Sequence, residues 1–149
     1  MDLYAENILE HYRNPRLKSR LLFPSPSGRG QGEGGKNAAF VEHEEVNLSC
    51  GDTVTIQLLT EDGTVKKLGW DGTGCAISQA AMSMLAEEVE GKPMDELERL
   101  SKDAVYTMLG VPIGPRRTKC ALLCLHTLKN ALRKAKGEGP QGWLETVTI

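Results

Sequence analysis

The stretch Cys50-Gly51-Asp52-Thr53-Val54-Thr55-Ile56-Gln57-Leu58-Leu59-Thr60-Glu61-Asp62-Gly63-Thr64 decides how this chain folds. From Thr53 to Thr60 apolar and polar residues alternate, which puts Val54, Ile56 and Leu58 on one face of a strand. Asp62-Gly63 is a dipeptide suited to a tight hairpin turn, because both central positions of such a turn need positive φ. The return strand runs from Val65 to Trp70 and carries Val65, Leu68 and Trp70. Upstream, Val41 to Asn47 is predicted as a further strand, although charge spoils its alternation. The hairpin enters through Cys50-Gly51-Asp52 and leaves through Gly72-Thr73-Gly74-Cys75. A tight turn holds entrance and exit together, so Cys50 and Cys75 are expected to be neighbours.

Helices surround this sheet. Residues 76 to about 90 place Ile77, Ala80, Ala81, Met84, Leu85 and Val89 on one stripe and turn Glu87, Glu88 and Glu90 toward water, with Gly91 closing the helix. Met94–Leu100 and Ser101–Leu109 read as two short helices, and Gly110 to Pro115 as a rigid connector. The last long helix spans about Arg117–Lys136 and ends at Gly137-Glu138-Gly139-Pro140. For the tail, residues 137–149 with Trp143 and Val147, a docked strand and a disordered end are both consistent with the sequence. At the other end, residues 3–13 form a short helix with Tyr4, Ile8, Leu9 and Tyr12 on its apolar side, stopped by Asn14-Pro15-Arg16. Residues 23–38 are rich in Gly, Pro and Ser and predict a flexible loop, with no Gly-Lys-Ser/Thr to make it a phosphate-binding one. The fold class expected is α+β, a small antiparallel sheet of about three strands packed against helices.

Composition narrows the function classes. At 149 residues, 40% hydrophobic and 26% charged, the chain is expected to form a single globular domain, 1–149, with a core that needs no disulfides. Its formal net charge of -2 speaks against nucleic acid as partner. Arg116, Arg117, Lys119, Lys129, Arg133, Lys134 and Lys136 are read as a solvated helix face. The start Met1-Asp2-Leu3-Tyr4-Ala5-Glu6 is no secretory signal, and no stretch has the apolar length of a membrane span. A cytoplasmic protein without a membrane partner is expected. Its four cysteines then read as ligands or nucleophiles rather than two disulfides.

Cys50, Cys75 and Cys120 each fall at an element boundary, where loops and helix starts let side chains converge and helix N-termini favour negative charge. Three thiolates and the Asp52 carboxylate suit a tetrahedral site for zinc or an iron–sulfur cluster. Asp52 also fits an ordinary turn carboxylate bonded to backbone N–H. Cys124 sits in the middle of the last helix's apolar arc and reads as a small core residue, while Cys120 lies at that arc's edge; the pair as i, i+4 ligands is the alternative. His126 points away from Cys120 and reads as a surface histidine, and nothing places His11 or His43 at the site. A purely structural zinc domain is a third reading.

At these residues the chain resembles the iron–sulfur cluster assembly family of IscU, SufU and the NifU N-terminal domain. The carriers are Asn14-Pro15-Arg16, Cys50-Gly51-Asp52, Gly74-Cys75-Ala76-Ile77-Ser78 and Lys119-Cys120-Ala121-Leu122, and the match covers Leu3 to about Lys136. The resemblance implies a NifU-like fold with the site at an exposed edge, and metal or cluster ligands at Cys50, Asp52, Cys75 and Cys120. It implies a cysteine desulfurase as sulfur donor and apo iron–sulfur proteins as recipients. In scaffold members iron and sulfur assemble as a [2Fe–2S] cluster; in SufU-type members zinc is held and a freed thiol relays persulfide, making them sulfurtransferases. Cys120 beside Lys119 is the expected persulfide acceptor. Lys119 and Ile77-Ser78 resemble SufU, yet the 45 positions from Cys75 to Cys120 leave no room for the insertion SufU proteins carry there. Val111-Pro112-Ile113-Gly114-Pro115 departs from the scaffold branch's chaperone-recognition segment.

Overall fold

In the computed structural model, residues 3–18, 38–49 and 51–148 are described, with side chains from 6 to 147; Cys50, the Tyr4 side chain and almost all of the Gly-rich stretch lie outside them. Helix α1 (Leu3–Arg13) is followed by strands β1 (Ala39–Asn47), β2 (Asp52–Glu61) and β3 (Thr64–Thr73). Then come α2 (Ala76–Val89), α3 (Met94–Glu98), α4 (Lys102–Leu109), a 3-10 turn at Pro115–Arg117, α5 (Thr118–Ala135) and α6 (Trp143–Thr148). The strands form an antiparallel sheet in the order β1-β2-β3.

The hairpin turn behaves as its sequence requires. Asp62 and Gly63 both take positive φ, 54° and 78°, the geometry whose twist matches the flanking strands. The alternation also holds: Val54, Ile56 and Leu58 are fully buried and face Trp70 and Leu68 of β3. Val65 and Leu68 share that face despite odd spacing because the register slips between Leu59 and Thr60, leaving Lys66 as the extra residue of a bulge. Glu90, expected in water, instead turns back at the end of α2 and accepts the Leu68 N–H at 2.7 Å.

The charge that spoils β1 has a structural reason. Paired opposite Leu58, Ile56, Val54 and Asp52 are Val41, His43, Glu45 and Asn47, so β1 turns a largely polar face toward α5. There Glu45 receives Asn130 Nδ2 at 2.9 Å and lies 3.6 Å from His126 Nε2. Burial alone would raise the Glu45 carboxyl, but hydrogen bonds from His43 and Asn130 outweigh it and hold Glu45 below the ordinary glutamate value.

Two helices carry the core. Helix α5 crosses the sheet and buries Ala121, Leu122, Leu125, Leu128 and Leu132, while α2 packs between α1, α5 and β3. That position buries α2 nearly all round, so Met82, Ser83 and Ala86 lie inside along with Ala80, Ala81, Met84, Leu85 and Val89 of the expected stripe, while Ile77 is half-buried. On α1, Ile8 and His11 face inward, whereas Leu9 and Tyr12, expected on the apolar side, are exposed. His11 Nδ1 and the Ser83 hydroxyl share a hydrogen bond at 2.7 Å, and that hydroxyl takes the Arg16 backbone N–H at 2.8 Å. Arg16 O in turn accepts Trp70 Nε1–H at 2.7 Å, so the Asn14-Pro15-Arg16 stop is tied to the sheet.

Three expectations for the C-terminal third are corrected. The tail forms a helix, α6, docked on α5 by Trp143, whose ring stacks on His126 at 4.2 Å, and by Thr146, bonded to His126 Nδ1 at 2.7 Å. His126 is therefore buried, 2% exposed, and not a surface residue. Lys129 is buried too, its Nζ capping Glu98 O at 2.9 Å, because a long aliphatic stem can lie in the core while the ammonium finds a carbonyl. Arg116, Arg117, Lys119, Lys134 and Lys136 are exposed as expected, and Arg133 half-buried. No described helix is long and apolar enough to cross a membrane.

Candidate metal centre

Asp52, Cys75 and Cys120 come together at the end of the sheet. One ligand atom from each lies within 4.8 Å of the others, the only such trio found among the described His, Cys, Asp and Glu residues. Two ligands on a single tetrahedral ion at ~2.3 Å stand about 3.8 Å apart, so a small closure completes the geometry. Two sulfurs and one oxygen are the donors that zinc or iron accepts, so the residues fit the group that the sequence suggests. The predicted fourth ligand, Cys50, lies outside the described residues.

Local structure positions each candidate ligand. Gly51, at φ 75°, turns the chain so that Asp52 opens β2 with its carboxylate buried, 2% exposed. Cys75 is the N-cap of α2 and remains half-buried. Its backbone N–H donates to Asp52 Oδ1 at 3.1 Å, while its Sγ stands 4.0 Å from Oδ2. Asp52 is thus both the backbone-bonded carboxylate and the potential ligand, one role for each oxygen. Gly74 makes this approach possible. At φ 147° it occupies a region that favours glycine, and a Cβ there would fall 2.4 Å from Asp52 Oδ1. Among the described residues a Cβ on Gly51 would meet nothing within 4 Å, and its positive φ serves the turn.

Cys120 stands in the first turn of α5, 6% exposed. Neither α2 nor α5 has an acidic residue in its first turn, and both present the positive end of the helix dipole to the trio. One turn further on, Cys124 is fully buried, its Sγ directed at Ala121 O at 3.6 Å, and burial pushes its thiol up to about 12. It is the core residue that its place in the apolar arc suggests. Lys119, expected beside the Cys120 thiolate, holds its ammonium 5.7 Å from the centre of the Trp143 ring. His43 and His126 belong to the Glu45 network and His11 to the Ser83 network.

Sequence reasoning missed Asn47. It lies opposite Asp52 in the β1–β2 register, is 3% exposed, and directs Nδ2 at Cys120 Sγ from 3.8 Å. The available signal was an amide at the end of a strand three residues ahead of a candidate ligand. Beside the trio a groove of about 750 Å³ opens, lined by Asn47, Ser49, Pro115, Arg116, Thr118, Lys119 and Val147.

Residues 3–139 match the model of the NifU-like N terminal domain, and the chain belongs to that family. It is 31% identical over 148 residues to the iron–sulfur cluster assembly scaffold protein IscU of Thermotoga maritima, covering 89% of this chain and 94% of that one. It is also 26% identical over 152 residues to the zinc-dependent sulfurtransferase SufU of Bacillus subtilis, covering 91% and 92% of the two chains. Among solved structures, the N-terminal NifU-like protein of Brucella abortus superposes with a TM-score of 0.67 at 25% identity over 92% of this chain and 96% of that one. An iron–sulfur cluster assembly scaffold protein of the SUF system from Fervidobacterium islandicum gives a TM-score of 0.62 at 26% identity, covering 85% of this chain and 94% of that one.

Proposed function

We propose that this protein is a scaffold for iron–sulfur cluster assembly, one domain spanning the chain and acting in the cytosol. It would receive sulfur from a cysteine desulfurase, hold a [2Fe–2S] cluster as cargo, and pass it to apo-proteins. The observation that carries this reading is the convergence of Asp52, Cys75 and Cys120 within 4.8 Å at the end of the sheet. Cys50 completes the donor set in this reading, which rests on its place in the family motif.

Holding and releasing make opposite demands, and the donor set answers both. Thiolates bind zinc and iron strongly, while a carboxylate is the harder and weaker ligand. Asp52 is therefore assigned the role of the ligand that withdraws, with the Cys75 N–H to keep its other oxygen in place. Cys120 is assigned the role of sulfur acceptor. Its thiolate attacks the outer sulfur of a donor persulfide, the donor's S–S bond breaks, the donor leaves as a thiolate, and a persulfide remains on Cys120 with no external oxidant.

The second reading is a zinc-dependent sulfurtransferase that relays persulfide, supported by the SufU likeness and by Lys119 in the position before the last of the three cysteines. Bound zinc would supply a resting partner for the Cys120 thiolate. Anaerobic purification with metal and sulfide analysis separates the two. A brown protein with iron and acid-labile sulfide is expected for the scaffold; a colourless protein with one equivalent of zinc would replace that reading with the relay.

A further inference from the structure

The two described thiols of the centre have opposite neighbours. Cys75 Sγ stands 4.0 Å from a carboxylate oxygen, which accepts from a thiol S–H and repels a thiolate. Cys120 Sγ stands 3.8 Å from Asn47 Nδ2, which can only donate. The orientation of that amide is fixed by its other end: Asn47 Oδ1 accepts the Ser49 N–H at 3.2 Å, which a flipped amide could not do. Asn47 itself is held by the β1–β2 register opposite Asp52, and its backbone O accepts the Gly51 N–H at 2.7 Å.

We infer that Asn47 is the positioning residue of Cys120, donating a hydrogen bond that directs its sulfur toward Asp52 and Cys75 and marks it as the thiol that leaves the metal to take up sulfane sulfur. A donor to a coordinated thiolate withdraws electron density from the metal–sulfur bond, and it stabilises the same sulfur when it stands free as an anion. Cys75, facing a carboxylate, lacks that support from Asp52 and is the thiol that stays. This rests on the reading of Cys120 as sulfur acceptor in a metal-binding centre.

The test uses the full chain loaded with cobalt(II), and Asn47→Asp and Asn47→Ala variants. Aspartate keeps the volume and the acceptor for the Ser49 N–H but replaces the donor with a negatively charged acceptor; alanine removes the amide. Both are expected to shift the sulfur-to-cobalt charge-transfer band to longer wavelength, the aspartate further. Both are also expected to lower persulfide loading at Cys120 from glutathione persulfide about tenfold at fixed pH, the scale of one hydrogen bond to a charged group. Loading at Cys75, read from its own peptide, stays as in the parent. A folded Asn47→Asp protein with an unmoved band and unchanged Cys120 loading overturns the inference. A parent protein with no charge-transfer band overturns the metal-centre reading itself, a distinct failure.

Discussion

Helix α5 sets two cysteines one turn apart and gives them opposite surroundings. At its first turn Cys120 faces Asn47, which lines a groove, and lies within reach of Asp52 and Cys75. One turn on, Cys124 is sealed between α5 and the rest of the core, its thiol pushed up to about 12 by burial. The residue type is the same; the difference lies in what the sheet offers. The end of the sheet supplies polar Asn47 and Asp52, while its middle supplies Val54, Ile56 and Leu58. Residue type alone therefore cannot locate the chemistry, and position along the helix can.

The sharpest attempt to break this contrast exchanges the two thiols' fates. Cys120→Ser is expected to abolish persulfide loading with little change in melting temperature, whereas Cys124→Ser leaves loading intact. Loading that survives the first and vanishes with the second would reverse the assignment. Gly74→Ala comes next: the positive φ costs about 1–3 kcal/mol, and the new Cβ must displace the Asp52 carboxylate. Metal affinity measured by competition with a chelator should fall by more than the loss of stability accounts for. On the core side, Cys124→Ser is expected to cost about 1–2 kcal/mol in denaturant unfolding, the effect of burying a hydroxyl where a thiol was. Last is the effect of pH. Burial first of all holds His126 below the ordinary histidine value of 6.5, with Glu45 and Glu145 pulling it up and His43 pushing it further down. The unfolded chain thus binds the proton more readily, and stability should decline as pH falls through about 6.5 toward the folded-state value. Trp143 fluorescence reports that change, since its ring stacks on His126. Stability that rises on acidification would show that His126 is charged in the native protein.

How much of this could be read from residues alone follows from the same contrast. The hairpin was legible because Asp62-Gly63 and the alternation of Val54, Ile56 and Leu58 are local signals. That Cys75 and Cys120 could converge was legible because each stands at an element boundary, and Asp52 joined them through its place in Cys50-Gly51-Asp52 and the family resemblance. The inward polar face of β1 was not: charge spoils the alternation of Val41 to Asn47, and the partners that explain it, His126 and Asn130 for Glu45 and Cys120 for Asn47, lie on α5. Lys129 and Glu90 misled for the same reason, since their partners, Glu98 O and the Leu68 N–H, are backbone groups on other elements that no periodicity announces. Helix α6 depends on the Trp143 and Thr146 contacts with His126, and six residues carry too little pattern to predict it.

Asp52, Cys75 and Cys120 are separated by 23 and 45 positions along the chain, and only the folded protein gathers them. An ion or cluster bound there has no equivalent host in the unfolded chain, so occupancy itself strengthens the native state, by about 2.7 kcal/mol at a hundredfold excess over Kd. Delivery then has a thermodynamic echo: each time the cargo departs, the emptied carrier sits nearer to its own melting point than it did a moment before.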